Sequence, residues 1–336
     1  MAKIRVGING MGRIGRTVLR EYFNRSISTF ELVAVNNPGD SKPYVHLLKY
    51  DSVHGKFNAE VKFENNELNI NNKKIKFFNF ASPPEIPWAE LKVDLVIDAT
   101  GKFKDKKGLS LHLGSTVKKV LMCAPGKELD ATFVMGINNN IYKHTEHNII
   151  SNASCTTNCL APVAKVLHEK WGIENGFMTT VHSYTSDQLL LDGSHSDLRR
   201  ARAAALSMIP TSTGAAKTVG KIIPELKGKL DGYAIRVPTP NVSLVDFTCT
   251  LKKAASKEEI NIAMKEASQT YLKGILDYTD LELVSSDFMA NRFSSIFDST
   301  LTNVIGNSAK VVAWYDNEVG FSNRVVDLVE FIASQY

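Results

Sequence analysis

The chain has 336 residues, 43% of them hydrophobic and 22% charged, with a formal net charge of +5. That length allows two domains and a large core, and the absence of any run of ~18 apolar residues argues against a membrane span. The charge is mild and scattered, which suits an anionic small substrate better than a dedicated nucleic-acid surface.

Lys3 to Ile8 reads as a short buried strand and lacks the layout of a signal peptide. Gly10-Met11-Gly12-Arg13-Ile14-Gly15 follows, and then a helical pattern through Val18, Leu19 and Tyr22. Strand, G-x-G-x-x-G, helix is the context in which this motif points to a dinucleotide: glycines let the backbone approach a pyrophosphate, and the helix N-terminus offers amides and positive potential. A second strand, Glu31 to Val35, ends in Asn36-Asn37-Pro38-Gly39. An acidic residue there normally bonds the adenosine ribose; Asn37 stands in its place and does not repel a 2′-phosphate. Val93 to Ile97 and Lys118 to Met122 read as further core strands, each ending in a ligand-facing loop, Asp98-Ala99-Thr100-Gly101 and Cys123-Ala124-Pro125-Gly126. Repeated strand–helix units imply a doubly wound, mostly parallel sheet. The run Lys102 to Lys107 reads as a solvated loop or helix start. His144 and His147 have no cysteine or carboxylate cluster beside them, so a solvated loop is expected there and no metal.

Ser151 to Cys159 carries the candidate chemistry. Leu160, Val163, Ala164, Leu167 and Trp171 recur at the spacing of an amphipathic helix. Ser154 is then an N-cap, and Cys155 lies in the first turn, where free amides and the helix dipole favour a thiolate. The bland alternative is a buried structural thiol. Cys159, one turn on, reads as a packed neighbour. Four cysteines (Cys123, Cys155, Cys159, Cys249) show no disulfide framework, which fits a reducing cytoplasm.

Beyond this helix, Phe177 to His182 reads as a strand, and His182 is the best-placed base among eight histidines. Residues 186–208 form a long, Arg-rich excursion of the kind that carries function or an interface. Pro210 to Gly214 leads into a helix through Ile222. Tyr233 to Lys252 alternates like paired strands, with Arg236 near Pro238. Ser256 and Glu259 make a capping box for a helix over 257–272. Val311 to Tyr315 is another strand, and Val325, Leu328, Val329 and Ile332 stripe a final helix. Arg200, Arg236, Thr185, Ser154, Thr156, Thr213 and Gly214 are guanidiniums, hydroxyls and amides, the donors of which phosphate sites are made.

Taken together, these segments resemble phosphorylating glyceraldehyde-3-phosphate dehydrogenase. The likeness runs through Gly7 to Arg16, Tyr50 to Gly55, Ser151 to Cys159, Asp197 to Ala203, Pro210 to Ala216, Arg236-Val237-Pro238 and Trp314 to Glu318, in order along the whole chain. It implies an α/β chain with a Rossmann-type dinucleotide domain over 1–154, onto which a C-terminal helix of about 318–336 packs back. An α+β catalytic domain with a mixed or antiparallel sheet would cover 155–317, including an S-loop of about 184–208. Cys155 would be the nucleophile and His182 its base. Thr185 and Arg236 would hold the substrate phosphate. Ser154, Thr156, Arg200, Thr213 and Gly214 would hold inorganic phosphate. Asn9, Gly10, Gly12, Arg13, Ile14, Asn37, Thr100, Gly101, Cys123, Ser194, Tyr315 and Asn317 would meet NAD or NADP, with Asn317 orienting the nicotinamide amide. The resemblance also implies a homotetramer acting on glyceraldehyde 3-phosphate in the cytoplasm.

Several positions depart from the family pattern. Asn37 replaces the ribose-binding aspartate, Ala81 falls where an arginine is common, Cys123 stands for a serine, and Val319 for a tryptophan. Ser194 lies where NADP-using members often carry serine. Asn37 with Ser194 leans toward NADP acceptance. The nearest rival is erythrose-4-phosphate dehydrogenase, which departs from the Ser183-Tyr184-Thr185 and Thr211-Ser212-Thr213-Gly214 stretches kept here. A secondary binding role is the alternative from outside enzymology, and the glycolytic or gluconeogenic direction is left open.

Overall fold

The computed structural model describes residues 3–114 and 116–336. It divides into two compact units, one of residues 1–133, 141–153 and 322–336, the other of 134–140 and 154–321.

In the first unit β1 (Ile4–Asn9) leads to α1 (Arg13–Phe23), β2 (Phe30–Asn36) and α2 (Lys42–Lys49). Two short strands, β3 (Tyr50–Asp51) and β4 (Gly55–Lys56), make a small ribbon. After them come β5 (Val61–Glu64), β6 (Glu67–Ile70), β7 (Lys73–Phe78), β8 (Leu95–Asp98), α3 (Lys106–Ser110), β9 (Lys119–Met122), β10 (Ala131–Thr132) and β11 (Ile149–Ser151). The nine-stranded sheet runs β10-β11-β9-β8-β1-β2-β7-β6-β5. Pairing is parallel from β10 to β7 and antiparallel across the β5–β6–β7 meander. The central strands β1, β8 and β9 are almost wholly buried, as parallel strands covered on both faces must be. The chain order reverses between β8 and β1, and a ligand crevice forms at the carboxyl ends of strands at such a switch point.

The lysine run does start a helix, with Asp105 Oδ1 accepting from Gly108 N at 2.7 Å. His144 and His147 differ from the solvated loop expected of them. Their carbonyls and Asn148 Oδ1 receive the ammonium of Lys119, and their rings pack against Tyr142, Phe133 and Tyr336. The buried lysine needs acceptors, and folding this loop around it supplies them.

The second unit begins with α4 (Cys155–Trp171) and continues with β12 (Ile173–Ser183), β13 (Ile209–Ser212), α5 (Ala215–Ile222), β14 (Leu230–Val237), β15 (Ser243–Leu251), α6 (Lys257–Gln269), β16 (Leu276–Thr279), β17 (Ser295–Ile305), β18 (Ser308–Tyr315) and the first turn of α7 (Val319–Ala333). Its seven-stranded sheet, β13-β14-β12-β15-β18-β17-β16, is mixed: β12–β14 and β16–β17 are parallel and the rest antiparallel. The capping box at Ser256 and Glu259 forms with both reciprocal bonds. The long strand β17 has no counterpart in the sequence reading.

Candidate active site

Sequence places the thiol and the sheet places its partner. Ser154 adopts an extended backbone, and its Oγ accepts from Thr157 N at 3.0 Å, so α4 starts at Cys155. The residue before the cap, Ala153, sits at φ +57°, a left-handed conformation that costs a non-glycine residue about 1–2 kcal/mol. β12 carries His182 in parallel register with Arg236 of β14. The imidazole Nε2 lies 3.5 Å from Cys155 Sγ.

The ring's tautomer follows from its other nitrogen. Nδ1 is 2.7 Å from the carbonyl oxygen of Ser183, which can only accept, so the ring proton sits on Nδ1 and Nε2 faces the sulfur bare. Burial, reinforced by the Arg236 guanidinium, pushes the imidazole down to about 3. Burial also pushes the Cys155 thiol up, against the pull of Arg236, the Thr156 hydroxyl and N–H, and its own N–H. The amides of the helix tip and the Arg236 cation favour the thiolate, and enclosure opposes it.

Two groups of anion-binding donors lie in this unit. Arg236 Nη1 donates to Thr185 Oγ1 at 3.0 Å and to Ser183 O at 3.2 Å. Its Nε is buried with no partner, and no carboxylate lies within ion-pair distance of Arg236 among the described residues. A guanidinium N–H left unpaired inside a protein is costly, and an anion placed here could satisfy it. Arg200 forms the second group. It reaches Thr211 Oγ1 at 2.9 Å through Nε and Ser212 O at 3.2 Å through Nη2, next to Thr213 and Gly214 at the start of α5.

Asp187, which sequence reasoning missed, accepts from both Thr185 Oγ1 and Arg200 Nη1 and so ties the groups together. An aspartate two residues after Thr185, in a loop rich in arginine, was the available signal. Ser154 and Thr156 do not join either group. The Ser154 hydroxyl caps α4, and Thr156 Oγ1 lies 2.8 Å from the buried hydroxyl of Tyr315. Tyr315 also lies 2.9 Å from Thr180 Oγ1, which puts it behind the thiol rather than in the open. Asn317 Oδ1 accepts from the hydroxyls of Ser183 and Ser243.

The first unit holds Asn9, Gly10, Gly12, Arg13, Ile14, Asn37, Thr100, Gly101 and Cys123 of the expected dinucleotide residues, while Ser194, Tyr315 and Asn317 belong to the second; the backbone of the first fits such a ligand. Gly10 takes φ +98°, and a Cβ there would stand 2.8 Å from Ala99 C and Thr100 N. A Cβ at Gly15 would fall 1.9 Å from Gly10 O, whereas one at Gly12 would meet nothing. Close packing is thus required at the first and third glycines, while the second leaves the approach to α1 open. No side chain caps α1, so the amides of its first turn, Arg13 and Ile14 included, are not taken up by a cap. Asn37 Oδ1 accepts from Met11 N at 2.9 Å, and its Nδ2 donates to the exposed Pro38 carbonyl at 3.0 Å.

The Arg13 guanidinium is held by Asp51 at 3.1 and 3.2 Å. Burial would raise that carboxyl, but the His54 amide, Arg13 and the Val53 amide hold it well below the carboxylate range. Thr100 bonds Asp98 through N and Oγ1, Gly101 has φ +64°, and burial pushes the Cys123 thiol up. Ser194 is exposed on the excursion between β12 and β13.

Comparison with known proteins gives the same reading along the whole chain. Residues 4–106 match the model of a glyceraldehyde 3-phosphate dehydrogenase NAD binding domain, and residues 154–317 match the C-terminal domain of that family. Glyceraldehyde-3-phosphate dehydrogenase 2 of Nostoc sp. is 56% identical over 335 residues, 99% of each chain. The chloroplastic form B of Pisum sativum is 54% identical over 340 residues, covering 100% of this chain and 75% of its own length. The Geobacillus stearothermophilus enzyme is 53% identical over 333 residues, 99% of each.

Proposed function

The chain belongs to the glyceraldehyde-3-phosphate dehydrogenase family, and on that premise we propose how its own residues divide the work. Its reaction is the reversible oxidative phosphorylation of D-glyceraldehyde 3-phosphate to 1,3-bisphosphoglycerate with NAD(P). Cys155 Sγ attacks the aldehyde carbon as His182 Nε2 takes the thiol proton. The protonated Nε2 then donates to the oxyanion of the thiohemiacetal. It takes the hydroxyl proton back when the hydride departs, leaving a thioester on Cys155. A bound nicotinamide dinucleotide supplies the hydride acceptor. Inorganic phosphate attacks the thioester carbon and the sulfur leaves as thiolate.

The observation that carries this reading is the bare imidazole nitrogen 3.5 Å from the sulfur, with the partnerless Arg236 Nε beside the same histidine. Arg236 and Thr185 bind the substrate phosphate, and Arg200, Thr213 and Gly214 bind inorganic phosphate. Asp187 holds both sets of donors in place. Ser154 and Thr156 act through the helix and the thiol. A dinucleotide would be held at its pyrophosphate by Gly10, Gly12 and the amides of α1, with Asn9, Thr100, Gly101 and Cys123 at the strand ends, and Asn317 would orient its carboxamide.

Asn37 directs an amide N–H rather than a carboxylate outward, so a 2′-phosphate meets a donor and NADP is accepted. The exposed Leu190, Leu191, Leu198, Leu206 and Met208 on the 184–208 excursion support a homotetramer in which this segment is covered. Four free thiols fit a cytoplasmic chain. Assays with NAD and with NADP, each with and without phosphate, test the whole. Reduction should need phosphate for turnover and should proceed with both cofactors. Full turnover without phosphate would favour the erythrose-4-phosphate activity instead, and retained turnover in Cys155→Ala would end the reading.

A further inference from the structure

The Asn317 side chain is almost fully buried, yet only one of its two polar atoms is used. Its Oδ1 lies 2.7 Å from Ser183 Oγ and 3.0 Å from Ser243 Oγ. The Ser243 hydroxyl oxygen already accepts the backbone N–H of Ser183 at 3.1 Å, which frees its proton for Asn317. With two hydroxyls donating to Oδ1, rotating the amide by half a turn would set its NH₂ against them and waste both bonds. Nδ2 has no partner among the described residues. We propose that Ser243, with Ser183, is a positioning residue that locks the Asn317 amide oxygen-inward, so that the site recognises the carbonyl oxygen of the nicotinamide carboxamide and not its NH₂.

This rests on the reading that Asn317 meets the carboxamide, and it adds what fixes the sense of that contact. Ser243 is the second residue of a pairing that reaches across the sheet, since β15 lies between β12, which supplies Ser183, and β18, which ends just before Asn317. The lock also shares Ser183 with the catalytic base: the Ser183 carbonyl holds His182 Nδ1 while its hydroxyl holds Asn317. The acceptor of hydride and the acceptor of the thiol proton are thereby referred to one residue.

Equilibrium binding of the full-length protein to two oxidised dinucleotides tests the proposal, one with nicotinamide and one with 3-acetylpyridine, which keeps the carbonyl and lacks the NH₂. The wild type should bind both within about threefold. Ser243→Ala should weaken both by about tenfold, the loss of roughly one hydrogen bond's worth of order. It should also transfer deuterium from C4-labelled reduced cofactor with measurable leakage from the wrong face. In an Asn317→Ala background Ser243→Ala should add no further loss, because the two act as a unit. A wild-type protein that rejects the acetylpyridine form overturns the proposal, as does a Ser243→Ala variant with unchanged affinity and one-faced transfer. If Asn317→Ala weakens the cofactor while Ser243→Ala does not, only this inference falls. If Asn317→Ala binds as the wild type does, the reading beneath it falls too.

Discussion

Arg236 Nη1 lies 3.2 Å from His182 Nδ1, although both atoms are donors and neither can bond the other. They are brought together because each donates to the same acceptor, the Ser183 carbonyl, at 3.2 and 2.7 Å. Burial, reinforced by this permanent cation, keeps the ring neutral until the thiol proton is passed to it. The same cation stabilises the negative sulfur once the thiol proton has left. One arginine thus favours the thiolate and offers its remaining N–H groups to an anion.

Acid stability should register this arrangement. The His182 ring is depressed from 6.5 to about 3 by burial and by Arg236. Between those values the unfolded chain binds a proton that the folded chain refuses, so the stabilisation is fully present above pH 6.5 and is lost as pH falls toward 3. Over the two units below pH 6.5 this amounts to about 3 kcal/mol. Denaturation of the full chain at a series of pH values should show it, and His182→Asn should flatten that part of the profile. An unaltered slope in the variant would mean that other groups carry the acid sensitivity.

Substrate discrimination should follow from the unpaired Nε of Arg236. Arg236→Leu removes the fork that a phosphate monoester would engage, at a cost of about 3 kcal/mol or roughly 100-fold in kcat/KM. The same variant should lose far less toward unphosphorylated glyceraldehyde, which offers no anion. Steady-state kinetics with the two aldehydes decide the matter. Equal losses on both would assign Arg236 to the proton transfer alone.

Local signals carried the sequence reading a long way. Ser154 as a cap, Cys155 in the first turn and the three glycines before α1 are each written within a dozen residues, and the structure has them where the pattern set them. Contacts between distant parts of the chain left no such mark. The Thr156–Tyr315 bond spans 159 positions and the Ser243–Asn317 bond 74, and no periodicity encodes either. β17 escaped because Ser295–Ile305 is polar at its outer end and reads as a loop until β16 and β18 flank it. The balance at the sulfur is only half legible for a related reason: a helix tip is visible in sequence, but the enclosure that opposes it is a property of the folded unit.

Cofactor choice should turn on Asn37. Its Oδ1 is engaged by the Met11 amide, so the outward group is an N–H donor. Asn37→Asp keeps the acceptor for Met11 and replaces the donor with negative charge. The expected result is a fall of at least about tenfold in kcat/KM for NADP, with NAD unchanged or improved, from repulsion of the 2′-phosphate. Kinetics with both dinucleotides check it. Unchanged NADP use in the variant would move the selectivity away from this residue.

A buried relay under the strand ends of the first unit should prove as sensitive as the site it supports. Trp88 Nε1 lies 3.3 Å from His112 Nδ1; an indole N–H can only donate, so Nδ1 accepts. His112 Nε2 then donates to Asp98 Oδ2 at 3.2 Å, where Asn9 Nδ2 also donates at 2.9 Å. Asp98 Oδ1 takes Thr100 Oγ1 at 2.7 Å, and Asn36 Nδ2 holds Asn9 Oδ1 at 2.8 Å. Asn9 and Thr100 are both expected cofactor residues, so the imidazole fixes them at one remove. His112→Leu leaves an indole N–H and a carboxylate short of a partner, which should cost about 3 kcal/mol. It should also weaken dinucleotide binding while leaving the alkylation rate of Cys155 as it was. His112→Gln can present an oxygen to Trp88 and an N–H to Asp98, and should recover part of both losses. Hydrogen exchange across β1 and β8, read beside a binding titration, separates the outcomes: protection lost with affinity kept would make the relay a matter of stability alone.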